Sequence, residues 1–188
     1  VQTCALPIFL PLMKNIQLTI AYDGTDFLGW QKTQEGPSIE GTLEAVLEKL
    51  LQERVILQAA SRTDAGVHAE GQVVNFFTEN TRFSLEALQR SINALLPSSI
   101  RVLEILKRPH TFHPTLDNMG KEYHYFVANT QYERPKNRLF SWHISRPLDL
   151  NLMQSASQVL LGTHNFSAFS DRKSTRLNSS HQIISYAV

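Results

Sequence analysis

Eight consecutive residues, Ser61-Arg62-Thr63-Asp64-Ala65-Gly66-Val67-His68, bring together a cation, a carboxylate, hydroxyls, a glycine and an imidazole. They join two apolar runs, 55–60 and 72–78, that read as strands, so the Asp64 carboxylate projects at the rim of a sheet. Glycine permits positive φ and close backbone approach. Arg62 nearby favours the ionised form of Asp64 by opposite charge. An ionised, positioned carboxylate is a competent covalent nucleophile. The same residues also compose an ordinary turn, with Asp64 in an Asx-turn and Arg62 paired to it at the surface. Spacing alone leaves both readings open.

Two further stretches have chemical potential. In Lys121-Glu122-Tyr123-His124-Tyr125, strand alternation places Lys121, Tyr123 and Tyr125 on one face and Glu122, His124 and Phe126 on the other. An ammonium and two phenols on one face suit a phosphate and a stacked base; aromatic pairing in a half-buried sheet explains them equally well. In Tyr22-Asp23-Gly24-Thr25-Asp26-Phe27-Leu28-Gly29-Trp30-Gln31, Asp-Gly marks a turn after a strand. Its aromatics either line a cleft or anchor the loop in a core. His110 and His113 have the separation of a metal pair, but prolines flank them and no cysteine or carboxylate cluster completes a site, so no metal is expected. No phosphate-binding glycine loop of the P-loop or dinucleotide type is present.

The whole chain bounds these possibilities. Its 188 residues, 42 % apolar and 19 % charged, have the balance of a globular domain rather than a disordered one. A single cysteine, Cys4, excludes an internal disulfide framework and a cysteine-rich zinc site. The longest apolar run, Ala5 to Met13, is short of the roughly 20 residues a membrane helix needs. The net charge of +1 hides a gradient: residues 1–60 carry 4 basic and 7 acidic side chains, and residues 101–146 carry 8 and 4, with four histidines added. A local basic stretch in a near-neutral protein fits either a polyanion on one face or a solvated surface.

The elements that must position these residues follow from periodicity. Ile16, Leu18 and Ile20 alternate as in a strand. Ser38 caps a helix with Ile39, Leu43, Val46, Leu47 and Leu50 on one face, and Ser84 caps another with Leu85, Leu88, Ile92, Leu95 and Leu96 inward, closed by Pro97. With strands at 55–60, 72–78 and 100–106 the order is β-α-β-β-α-β, an α+β, ferredoxin-like split βαβ arrangement. A second unit begins with a strand over 122–130 and a helix capped by Asp149, with Leu152, Ala156, Val159 and Leu160 on one face, closed by Gly162. The expected organisation is a non-native or disordered leader over 1–12, a ferredoxin-like half over 13–108, an incomplete second half over 109–170, and a non-native or disordered tail over 171–188. Both ends resemble translated sequencing-adapter read-through.

Five stretches in order, YDGTDFLGWQ, SRTDAGVHAEGQVVNF, INALLP, FHP and KEYHYF, resemble the tRNA pseudouridine synthase A family from Lys14 to about Phe169. The RTDAGVHA run is the most specific of them. The resemblance implies a cytoplasmic, homodimeric enzyme that isomerises uridine to pseudouridine in the anticodon arm of tRNA, without metal or cofactor. It makes Asp64 the catalytic nucleophile, attacking C6 of uracil or C1′ of ribose. Arg62 then holds the flipped-out nucleotide and Tyr123 packs under the target base. Thr63, His68, Lys121 and Tyr125 become further RNA or site contacts.

Departures from the family pattern are Ser61 in place of the usual glycine and Pro114-Thr115 in place of Ala-Arg. The family also continues into a strand bearing a basic partner for the aspartate, to which no residue here is assigned. The expectation is therefore a truncated enzyme. A non-catalytic ferredoxin-like RNA-binding module is the alternative.

Overall fold

The computed structural model describes residues 13–165 and the backbone of Gln182–Ile184. The readings for 1–12, and for 171–188 apart from that short backbone segment, lie outside the described residues. The chain divides into two units between Tyr123 and His124. This division falls later than the sequence pattern places it, because residues 109–115 are hydrogen-bonded to the sheet of the first unit.

In the first unit β1 (Lys14–Tyr22), α1 (Ile39–Leu51), β2 (Gln58–Ala59), β3 (Ala69–Thr78), α2 (Leu85–Leu95) and β4 (Ile100–Arg108) follow in that order. The strands form one antiparallel sheet in the order β2-β3-β1-β4. Alternation turns Ile16, Leu18 and Ile20 of β1 to one face, where register pairs Ile16 with Phe76 and Leu18 with Val74. Both helices supply the same core: Ile39, Leu43 and Leu47 from α1, Leu88 and Ile92 from α2, all buried. Each such side chain contributes about 1.5–3 kcal/mol through removal of apolar surface from water.

The helix ends are chemically specified. The hydroxyls of Ser38 and Ser84 accept from the backbone N–H of Gly41 and Ala87, each at 3.2 Å. Helix α1 stops at Gln52, which takes φ 56° and donates its N–H to Glu48 O. Leu96 is extended, in the conformation favoured before proline, and is buried as expected, whereas Leu95, also expected inward, is 42 % exposed.

The expected 55–60 strand contracts to β2. The N–H of Leu57 donates to Glu44 Oε1 (3.2 Å) and that of Val55 to Glu48 Oε1 (3.3 Å), so α1 carboxylates take the bonds a strand ladder would use. The outer edge of β4 is likewise met by side chains. Asn93 of α2 both donates to Val102 O and accepts from Val102 N at 2.8 Å, and Gln89 donates to Leu103 O at 2.9 Å. Leu103 is the extra residue of a bulge, since Thr19 pairs with Glu104 and Ile20 with Val102.

In the second unit the expected 122–130 strand is only β5 (Val127–Ala128), paired in parallel with β6 (Trp142–His143). Its ladder extends no further because its partner strand is also two residues long. Asp149 caps α3 (Leu150–Ser157), accepting from Leu152 N at 2.9 Å. That helix ends before the expected Gly162, because Gln158–Leu160 tighten into a 3₁₀ turn and Leu161 is extended. Its apolar face is exposed, Leu152 being 67 % accessible. β7 (Gly162–His164) pairs antiparallel with β8 (Gln182–Ile184). Among the described residues no helix is long and apolar enough to cross a membrane.

Leu43→Ala should lower stability by about 2–5 kcal/mol through lost burial and a cavity. Leu152→Ala should change it by no more than about 0.5 kcal/mol. Urea titration followed by circular dichroism checks both, and equal losses would contradict this placement of the core.

Candidate active site

The loop between β2 and β3 carries the 61–68 run, and the turn after β1 holds it in place. Trp30 N–H donates to Thr63 O (2.9 Å) and Gly66 N–H to Phe27 O (3.3 Å), so the two loops are joined backbone to backbone. The loop also closes on itself, with Val67 N–H donating to Asp64 O at 3.2 Å across Gly66, at φ 77°. Phe27 and Trp30 are buried, which settles their part: they anchor the 22–31 loop in the core.

Two glycines allow the loops to meet. A Cβ on Gly24 would lie 2.1 Å from Val67 O. A Cβ on Gly29, whose φ is +95°, would lie 2.7 Å from Thr63 O and 3.0 Å from the carbonyl carbon of Asp64. The sequence shows both glycines, but nothing in it says what they face.

Side chains complete the clamp. The hydroxyls of Tyr22 and Thr63 share a hydrogen bond at 2.8 Å. Burial holds the Tyr22 phenol above its ordinary pKa, with the Thr63 bond opposing the shift. The Gln72 amide donates to Ser61 O. His68 Nδ1 lies 3.2 Å from Gly24 N and 3.0 Å from Asp23 Oδ1. One nitrogen cannot serve both at once: Nδ1 accepts from Gly24 N–H when it carries no proton and donates to Asp23 when it does. Thr25 holds Asp23 below the usual carboxylate pKa, first through its hydroxyl (2.6 Å) and then through its N–H (3.0 Å).

On this support Arg62 and Asp64 are both exposed. Among the described residues neither the Asp64 Asx-turn nor an Arg62–Asp64 ion pair forms. The carboxylate stands at the rim with its backbone fixed on both sides. Tyr123 reaches the same loop, its hydroxyl 3.2 Å from Ser61 Oγ, with the ring 62 % exposed. Lys121 is exposed on the coil before it. The expected shared face of Lys121, Tyr123 and Tyr125 does not form, because residues 121–126 are not a strand; Tyr125 belongs to the second unit and is 90 % exposed.

The two histidines once paired by spacing have separate contacts. The His110 ring lies against Phe77 at 4.9 Å, and His113 Nδ1 accepts from Thr115 N at 3.1 Å. Among the described residues no group of three or more His, Cys, Asp or Glu could hold a metal ion.

Gly29→Ala should cost about 1–3 kcal/mol in backbone strain alone, read from its urea midpoint; an unchanged midpoint would contradict the close approach. The depressed Asp23 carboxyl contributes stability that is present above its unfolded pKa of about 3.9 and is lost as pH falls through its folded value. Thr25→Ala should move the Asp23 midpoint upward in a carboxyl ¹³C titration.

A family model described as tRNA pseudouridine synthase matches residues 18–115, from within β1 through the residues after β4 that are hydrogen-bonded to the sheet. The chain is 50 % identical over 161 residues to tRNA pseudouridine synthase A 2 of Protochlamydia amoebophila, covering 86 % of this chain and 62 % of that protein. It is 42 % identical to tRNA pseudouridine synthase A 1 of Desulfotalea psychrophila, with 84 % and 62 % covered. It is 37 % identical to tRNA pseudouridine synthase A of Thermotoga petrophila, with 84 % and 64 % covered. The chain thus spans a little under two thirds of the length of these relatives. The matched span contains the clamped Asp64 loop and both glycines that seat it, and on that match the chain belongs to the tRNA pseudouridine synthase family.

Proposed function

We propose that this chain carries the nucleophile-bearing part of an enzyme that isomerises uridine to pseudouridine in the anticodon arm of tRNA. The observation that carries the reading is the Asp64 loop: an exposed carboxylate on a backbone pinned by Trp30, Gly66 and Gly29. A nucleophile held in place by its scaffold avoids much of the entropic cost of reaching the reacting geometry.

The reaction is balanced within the substrate. The Asp64 carboxylate adds to C6 of uracil or to C1′ of ribose, the C1′–N1 bond breaks, and the base turns. C5 then bonds to C1′, the C5 proton leaves, N1 takes up a proton in its place, and the carboxylate is released. Uridine and pseudouridine are isomers, so no oxidant, reductant or co-substrate is consumed. The target base must leave its stack to expose these atoms. Arg62 is assigned to holding the flipped nucleotide, and Tyr123, exposed and hydrogen-bonded to the loop, to packing under its base. Thr63, His68, Lys121 and Tyr125 are assigned to supporting or RNA contacts. Thr63 and His68 already bond to Tyr22 and Gly24 in the clamp.

The same reading takes the first unit as a ferredoxin-like split βαβ half, supported by its element order and the sheet order β2-β3-β1-β4. It takes the second unit as the beginning of the other half of the catalytic domain. A homodimer in the cytoplasm, working without metal or cofactor, rests on the family resemblance.

Tritium release from C5-labelled uridine in tRNA tests the proposal on the full-length gene product. Asp64→Ala should lose on the order of 10⁴-fold or more in rate while tRNA binding persists. Equal release from Asp64→Ala and wild type would defeat the nucleophile assignment. Binding without release in either protein would favour an RNA-binding module.

A further inference from the structure

Tyr123 is brought to Ser61 by a segment that crosses the sheet face opposite the helices, and that crossing is held by two buried amides. Asn15 of β1 and Asn75 of β3 are 1 % and 0 % exposed. Alternation places Asn15 on the face opposite Ile16 and Leu18. Its Nδ2 donates to Pro109 O at 3.1 Å and to Phe112 O at 2.8 Å, the two carbonyls of the turn that follows β4. Asn75 Nδ2 donates in turn to Asn15 Oδ1 at 2.7 Å. Farther along, Thr115 Oγ1 donates to Ala59 O of β2 at 2.9 Å. The chain therefore leaves β4, passes beneath β1 and β3, and reaches β2 beside the Asp64 loop.

We infer that Asn15 and Asn75 are positioning residues for Tyr123: by holding the Pro109 and Phe112 carbonyls they set the course of the crossing segment, and with it the place of the Tyr123 ring. The inference rests on the role proposed above for that ring. Apolar packing at the same positions would bury surface without direction, whereas an amide pair accepts only one arrangement of the carbonyls above it. The hydrogen bonds run unbroken from Asn75 through Asn15 to both carbonyls, so the pair specifies where the crossing segment runs.

The test uses ¹⁹F NMR of the 188-residue chain labelled with 3-fluorotyrosine. The Tyr123 line is assigned by Tyr123→Phe, and the line of buried Tyr22 serves as an internal gauge of folding. In Asn15→Ala the Tyr123 line should move to the position it takes in Ser61→Ala while the Tyr22 line stays. The double variant Asn15→Leu, Asn75→Leu is a second probe: it removes the amide pair together, keeps side chains of similar size in both strands, and leaves the Pro109 and Phe112 carbonyls without their donor. It should displace the Tyr123 line in the same way. A stationary Tyr123 line in a variant that keeps its Tyr22 line overturns the inference, whatever Asp64→Ala does to the reaction. In the full-length product the double variant should lower kcat roughly tenfold or more, with KM for tRNA within about twofold. A displaced line with unchanged kcat upholds the positioning and overturns the role given to Tyr123.

Discussion

The structure turns on how closely two loops approach. The backbone after β1 and the backbone before β3 come within hydrogen-bonding distance at Trp30–Thr63 and Phe27–Gly66, and this is possible only where no Cβ intervenes. Gly24 and Gly29 meet that condition. Once the loops are joined, Tyr22 reaches Thr63, His68 reaches Gly24 and Asp23, and the Asp64 backbone loses its freedom. The apolar core below serves the same contact, since burial of Phe27 and Trp30 fixes the loop that does the holding. A surface carboxylate on a mobile loop samples many directions. Here the mobility is removed by the scaffold, and the carboxylate stays exposed.

Local chemistry was the legible part of the fold. Ser38 and Ser84 announce their helices because an N-cap hydroxyl serves the N–H three residues on, an interaction contained within the sequence window. The alternation of Ile16, Leu18 and Ile20 likewise needs no knowledge of a partner. The 55–60 run misleads because its Val55 and Leu57 N–H groups donate to Glu48 and Glu44, charged residues of α1 of which Glu44 is buried. The 121–125 stretch misleads for the opposite reason: alternation describes a face only where a neighbouring strand exists to make one.

The loop that carries the candidate site was legible in the sequence, and what holds that loop was not. Asp64 sits in a sequence that reads as a connection between strands, and so it is. That Tyr22 and Gly29 seat it depends on a contact between segments more than 30 residues apart. Asn15 and Asn75 are harder still. Polar residues within strands usually face water, and only the strand register, together with the path of residues 109–115, reveals that these two are buried. Tyr123 looked like part of an aromatic strand face; it instead reaches the loop by one hydrogen bond at the end of a long crossing.

The treatment of β4 has a consequence for how the protein behaves in a crowded solution. A free strand edge is a template on which another chain can grow a sheet, and nine residues is long for such an edge. At Val102 and Leu103 an incoming strand would meet the amides of Asn93 and Gln89 already occupying the backbone groups it needs, and a bulge that breaks the spacing of any regular ladder. Helix α2 therefore does more than cover the core: at Val102 and Leu103 its amides block the edge of β4 against a pairing strand.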